Sequence, residues 1–165
     1  MVAARAGGTT PVTRPDGALI GPYPAMLAHP VLGTGLWAAI EPVMRPVALL
    51  PAVREVVILV VGARFQARYE LYAHGPIAER VGIDPADVRA LVAGQHPLGL
   101  DDDQLLAHDA AASLCAPGPL PQALHRACTE VFGQDGLAEL VHLVGIYAAV
   151  CVLLNAHDVP VPKNN

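Results

Sequence analysis

The hydrophobic pattern of this chain is helical almost throughout, and its densest apolar run lies in 51–62, PAVREVVILVVG. Pro51 opens it, Arg54 and Glu55 follow in what reads as the first turn, and residues 56–61 are uninterrupted Val, Ile and Leu. Proline at a first helical position with an acid close behind marks a helix start. A run this short predicts a buried helix or strand rather than a membrane span, which needs about 20 apolar residues. After Gly62 the pattern collapses, and Arg64, Gln66, Arg68, Tyr69, Glu70, Tyr72 and His74 crowd into 64–74. A second helix is predicted over 67–80, with Gly82 as its stop and Pro76 bending it just after His74.

The rest of the chain follows the same period. A short helix is expected within 21–30, and one at 31–44 with Leu32, Leu36, Trp37, Ile40 and Met44 at helical spacing, kinked or ended by Pro42 and Pro46. Asp84 before Pro85 predicts a capped helix over 86–93, and Asp101, Asp102 and Asp103 cap another running to about Cys115. Helices over 122–132 and 137–155 are separated by a break at 133–136. Few segments alternate with period two, so the class is all-α. Residues 1–20 read as a flexible N-terminal arm that can lie over a neighbouring subunit, and 21–162 as a single helical domain.

Composition sharpens this in two places. Hydrophobic residues make up 53% and charged ones only 15%, with a mean hydropathy of +0.43. Such a balance fits either a membrane protein or a chain that buries extra surface as a homo-oligomer. Glu139, His142 and Asn155 interrupt the one long apolar candidate, 137–156, which favours a buried interface helix over a membrane span. The net charge is −5 and Lys163 is the only lysine, so no basic patch for nucleic acid is visible. The first seventeen residues lack the apolar core of a secretion signal. Cys115, Cys128 and Cys151 have no metal-like spacing and read as reduced, buried thiols of a cytoplasmic protein.

Chemistry concentrates at 55–74. Glu70 and His74 are four apart, so on a helix they share a face, and an acid beside an imidazole can move a proton on and off a substrate. A solvated surface ion pair is the competing reading. On one straight helix Glu55 would lie ~22 Å from Glu70, too far to cooperate. A break between Gly62 and Ala67 would fold the second helix back beside the first, so that Glu55, Glu70 and His74 face one pocket. The competing reading of Glu55 is an acid at a helix N-terminus, helped by the dipole. Arg64 and Arg68 are candidates either to grip a substrate carboxylate or to answer the two glutamates. Tyr69 and Tyr72 are expected on opposite faces, with at most one at the pocket. His142 is either a pocket residue or a satisfied core histidine, and Tyr147 and Asn155 read as packing and capping groups. His96, His108, His125 and His157 form no H-x3-H pair, so no metal site is expected. No phosphate loop or dinucleotide fingerprint is present, and no cofactor is expected.

Glu55, eleven residues, Ala67, two residues, Glu70, three residues and His74 reproduce a spacing that resembles the carboxymuconolactone decarboxylase and alkylhydroperoxidase D-like family. GPYPAMLAHP at 21–30, HGPIAERVGIDPADVRALVAG at 74–94 and ELVHLVGIYAAVCVLLNAHDVPVP at 139–162 are similar to its other segments. The resemblance implies that family's all-α fold, a dimer, trimer or hexamer, His74 as the catalytic histidine, and Tyr23, Met26, Leu27 and His29 as pocket walls. Ala67 and Glu70 stand where the peroxidase branch has its two cysteines. A dithiol peroxidase needs both thiols, so that activity is not carried over. The expectation is a cofactor-free acid/base enzyme, a decarboxylase, lyase or isomerase, acting on a small organic acid or lactone-like ring. A non-catalytic binding or scaffold protein of the same fold is the alternative, followed by a thiol peroxidase using one of the three remaining cysteines.

Overall fold

A computed structural model describes residue 13 and residues 17–45 and 47–162. Most of the expected N-terminal arm, Pro46 and Lys163 lie outside the described residues. The described residues form seven helices: α1 (Pro22–Leu27), α2 (Pro30–Val43), α3 (Pro51–Arg64), α4 (Arg68–Arg80), α5 (Pro85–Val92), α6 (Asp102–Leu114) and α7 (Gln122–Ala156). Among them the only β-type pairing is a single bridge between Thr13 and Leu19. The class is all-α.

Helix α3 is the centre. Every residue from Val53 to Gly62 is buried, and α4, α5, α6 and α7 all pack on it. A helix that is apolar all round has no solvent face to offer, so it becomes the core around which amphipathic helices assemble. Its core partners include Leu91, Ala107, Ala110, Leu140, Leu143 and Cys151. A second, smaller cluster joins Met26, Ile40, Tyr69, Ala73, Val150 and Leu154, and seats α1 and α2 against α4 and α7.

Helix α2 covers less than its spacing suggests, for Leu32 is 69% exposed and Met44 is exposed as well. The break expected at 133–136 shrinks to Gly133, whose φ of 72° and ψ of 178° interrupt α7. Gly136 is helical and buried, pressed so close to Phe132 and Leu49 that a side chain would not fit. Helix α4 runs on through Pro76 to Arg80. Asp84 and Asp101 cap α5 and α6 through the amides of Ala86 and Gln104, as expected.

Helix α7 has the length and hydropathy of a membrane span. One of its acids, Glu139, is however used inside the fold. The Glu139 carboxylate accepts from the amides of Val47, Ala48 and Leu49 and pairs with the buried Arg54 guanidinium, which also donates to the Val43 carbonyl. Asn155 near the other end donates to the Phe65 carbonyl at 2.7 Å, capping the C-terminus of α3.

Candidate active site

Three residues separate α3 from α4, and they decide the site. Phe65 ends α3, Gln66 takes a left-handed φ of 52°, and Ala67 is fully buried. The Ala67 amide donates to the Gly62 carbonyl and the Gln66 amide to the Ala63 carbonyl. This pair of bonds is a Schellman motif, which caps a helix by reversing the chain through one left-handed residue. The expected break is therefore real, but Gly62 is not the hinge. It stays helical, and its missing side chain lets Leu71 of α4 approach α3; a Cβ there would sit 3.0 Å from Leu71 Cδ2.

The reversal brings α4 back along α3 and closes a three-residue cluster. His74 Nδ1 lies 2.8 Å from Glu55 Oε2, and His74 Nε2 lies 3.1 Å from Glu70 Oε1. Glu55 occupies the second turn of α3, past the helix terminus, so its role is this contact rather than dipole compensation. The side chains of Glu70 and Glu55 are 7% and 12% exposed, and that of His74 16%. Burial alone would depress the imidazole. The Glu70 charge, the hydrogen bonds of Glu55 and Glu70 and the Glu55 charge together outweigh it and raise His74 to about 10. At neutral pH the cluster is thus an imidazolium donating one N–H to each carboxylate, with a net charge of −1.

Tyr147 touches the cluster directly, and Tyr23 and Tyr69 lie close enough to feel the Glu70 charge. Tyr147 of α7 meets the His74 ring edge-to-face at 5.4 Å. The rings of Tyr69 and Tyr72 meet at a tilt with centroids 6.0 Å apart, and those of Tyr23 and Trp37 likewise at 5.8 Å. Burial, then the charges of Tyr23, Glu70 and Tyr72, push the Tyr69 hydroxyl up to about 12. Burial and Glu70 raise Tyr23, and burial followed by Glu70 and Glu55 raises Tyr147. These phenols remain protonated donors beside a negative cluster. Gly21, at φ 69°, lets the segment before α1 lie on Tyr69; a Cβ there would fall 2.7 Å from the ring.

Several expected site residues are placed elsewhere. Tyr69 and Tyr72 do not oppose each other, because three residues on a helix turn 300° and leave them on neighbouring faces. Arg68 pairs with Asp158 at 2.6 Å, with both side chains exposed. Arg64 is exposed at the end of α3, where its charge pulls against the raised Cys115 thiol. Neither arginine answers Glu55 or Glu70. His142 is exposed and turned to its own helix, with Nδ1 2.7 Å from the Ala138 carbonyl. His29 caps α2 by accepting from the Leu32 amide, and Leu27 is 60% exposed, outside the apolar cluster that Met26 joins. Met26 and Tyr23 are brought to the site.

Sequence reading missed Tyr147 and Trp37. Tyr147 carried one usable signal: it is the only aromatic residue of the apolar 137–156 helix. Comparison of the chain with protein-family models, with curated proteins and with solved structures finds no match.

Proposed function

We propose that this chain is an acid/base enzyme, a lyase or isomerase that needs no cofactor, acting on a small, uncharged, lactone-like or ring-bearing substrate. The observation that carries the reading is His74 held between Glu55 and Glu70 against the ring of Tyr147. The fold back of α4 on α3 delivers the contact that the resemblance to the carboxymuconolactone decarboxylase-like family leads one to expect, and supports that family's helical fold for this chain.

The geometry also redistributes the roles. Both nitrogens of His74 carry protons and are engaged, so the substrate proton is taken up and returned by a carboxylate oxygen of Glu70 or Glu55, while His74 keeps its charge. Its positive charge, in a largely dry setting, stabilises an enolate-like anion forming alongside. Tyr23, Tyr69 and Tyr72 supply hydroxyl donors for a substrate carbonyl. The choice of an uncharged substrate follows from the same residues: the cluster carries −1, and Arg64 and Arg68 do not reach it. A free carboxylate would meet repulsion there, whereas a neutral ring finds aromatic walls.

Burial raises the thiols of Cys115, Cys128 and Cys151, which works against a thiolate nucleophile and against the peroxidase reading. Exposed Val31, Leu32, Val141 and Val152 support a homo-oligomer, which we take to be cytoplasmic.

The test is a panel of small lactones, cyclic ketones and their ring-opened acids, incubated with the protein in D2O and followed by NMR for deuterium uptake, ring opening or loss of CO2. Turnover should favour neutral members and fall by roughly 10²-fold or more in His74→Ala and Glu70→Gln. Binding without turnover would overturn catalysis in favour of a binding protein. A rate unchanged in folded His74→Ala would remove the assignment.

A further inference from the structure

A second cluster of chemical groups lies in the loop between α5 and α6, and the acid/base site does not use it. We infer that His96, His108 and Asp109 form a binding site for one borderline divalent transition-metal cation, with zinc as its representative. One nitrogen of each imidazole and one Asp109 oxygen lie within 4.8 Å of one another. Spacing along the sequence hides this arrangement, because an H-x3-H test finds only ligands on a single helical face. Here His96 comes from the loop, while His108 and Asp109 come from α6.

The loop is built to hold His96 over α6. The buried Asp87 carboxylate accepts from the amides of Leu98 and Gly99, at 3.2 and 2.9 Å, and the Gln95 amide donates back to the Ala90 carbonyl. Pro97 is among the most buried side chains of the chain, and Leu100 is buried as well. Anchored on both sides, His96 presents its ring edge-on to His108 with centroids 4.9 Å apart.

The hydrogen bonds orient the donors. His96 Nδ1 lies 2.9 Å from the Pro97 carbonyl, which can only accept, so Nδ1 carries the proton and Nε2 keeps its lone pair. A histidine that donates one nitrogen to a carbonyl and offers the other is in the state metal-binding histidines adopt. His96 Nε2 lies 3.9 Å from Asp109 Oδ1, and that oxygen lies 2.9 Å from His108 Nδ1. Tetrahedral ligands about 2.0–2.2 Å from one zinc ion are ~3.4 Å apart, so rotations of the exposed His96 and Asp109 side chains complete the geometry.

Two imidazoles and a carboxylate select zinc and its neighbours over magnesium or calcium, which prefer all-oxygen sites. Three protein ligands leave at least one coordination position open to water. The acid/base cluster offers no such site: Glu55 and Glu70 bind opposite nitrogens of one ring, so their donors do not converge on one point.

Zinc titration of the full-length, untagged, chelator-stripped protein by calorimetry tests the proposal, with Co2+ absorption reporting the ligand field. One Zn2+ per chain should bind, with a Kd in the micromolar range or tighter. The affinity should drop by more than about tenfold in His96→Ala and in Asp109→Asn, and stay unchanged in His125→Ala and in His74→Ala. His96 and Asp109 are exposed, so these variants should fold, which circular dichroism verifies. Absence of saturable binding below about 1 mM overturns the site, and so does a loss smaller than tenfold in either variant. Because His74→Ala serves as a control, failure here leaves the acid/base reading standing, and the reverse holds too.

Discussion

Arg54 and Glu55 are sequence neighbours on α3, yet each begins a buried charged cluster of opposite character. Arg54 enters a closed knot in which Glu139 is met by one guanidinium and three backbone amides, and the second guanidinium nitrogen is taken by the Val43 carbonyl. Positive and negative charge balance, and the side chains are 7% and 4% exposed. Glu55 enters a cluster of two carboxylates around one imidazole, with unbalanced charge, a partly exposed ring and phenols on its flank. Burial of charge alone therefore says little about chemistry. Charge that is left over, beside a group able to change its protonation, distinguishes a candidate site from a structural tie.

The largest effect should come from opening the knot. Glu139→Met strands the Arg54 charge and three amides, and should cost on the order of 3–5 kcal/mol. Arg54→Met should cost less, because Glu139 keeps its three amide donors. The double variant should stay destabilised, since the buried Leu49 amide left unpaired costs about 1–3 kcal/mol whatever happens to the arginine. Urea unfolding of the three variants gives the ranking. Equal losses, or a double variant restored to wild-type stability, would show that the ion pair rather than the amide cradle holds this corner.

The second effect is smaller and depends on pH. His74 is raised to about 10 in the folded chain from an ordinary value of 6.5. A raised folded value means the folded state holds its proton more tightly. The stabilisation is therefore complete below about 6.5, erodes as the pH climbs and is gone above about 10. The stability gap between the wild type and His74→Gln should accordingly narrow from pH 6 to pH 10. Glu70→Gln removes the strongest raising influence, so the His74 NMR titration should move down in that variant. A gap that widened with pH would mean His74 is buried neutral, and the imidazolium role would fall.

The same contrast explains what could be read from the sequence. The helical segments, the last two of which run together as α7 across Gly133, the α5 and α6 caps and the meeting of Glu55, Glu70 and His74 follow from local signals: periodicity, Asp before a helix, and i,i+4 spacing across one required break. Arg54 with Glu139 was not legible, because two residues 85 apart carry no mark of pairing. Arg64 and Arg68 looked more suitable as site cations because they stand beside the glutamates in sequence. Exposure decided otherwise, and exposure depends on which face each helix turns inward. The aromatic contacts were hidden for a similar reason, since Tyr23, Trp37, Tyr69, Tyr72 and Tyr147 come from four helices.

The smallest expected effect concerns the hinge that puts Glu55 and Glu70 on one histidine. Helices α4 and α5 end in Schellman motifs closed by Gly82 and Gly94, at φ 101° and 68°, whereas α3 ends in the same motif closed by Gln66. A residue with a Cβ pays roughly 1–2 kcal/mol to be left-handed, and a β-branched one is worse placed still. Gln66→Gly should leave stability within about 1 kcal/mol of wild type, because relief of strain is offset by the extra freedom of the unfolded chain. Gln66→Val should lose about 1–2 kcal/mol and, by loosening the reversal, bring the His74 titration down toward its ordinary range. Stability and titration are read on the same samples. A Gln66→Val protein that is destabilised while His74 stays raised would show that the contact of α3 with α4 through Gly62 and Leu71, and not the turn, positions the site.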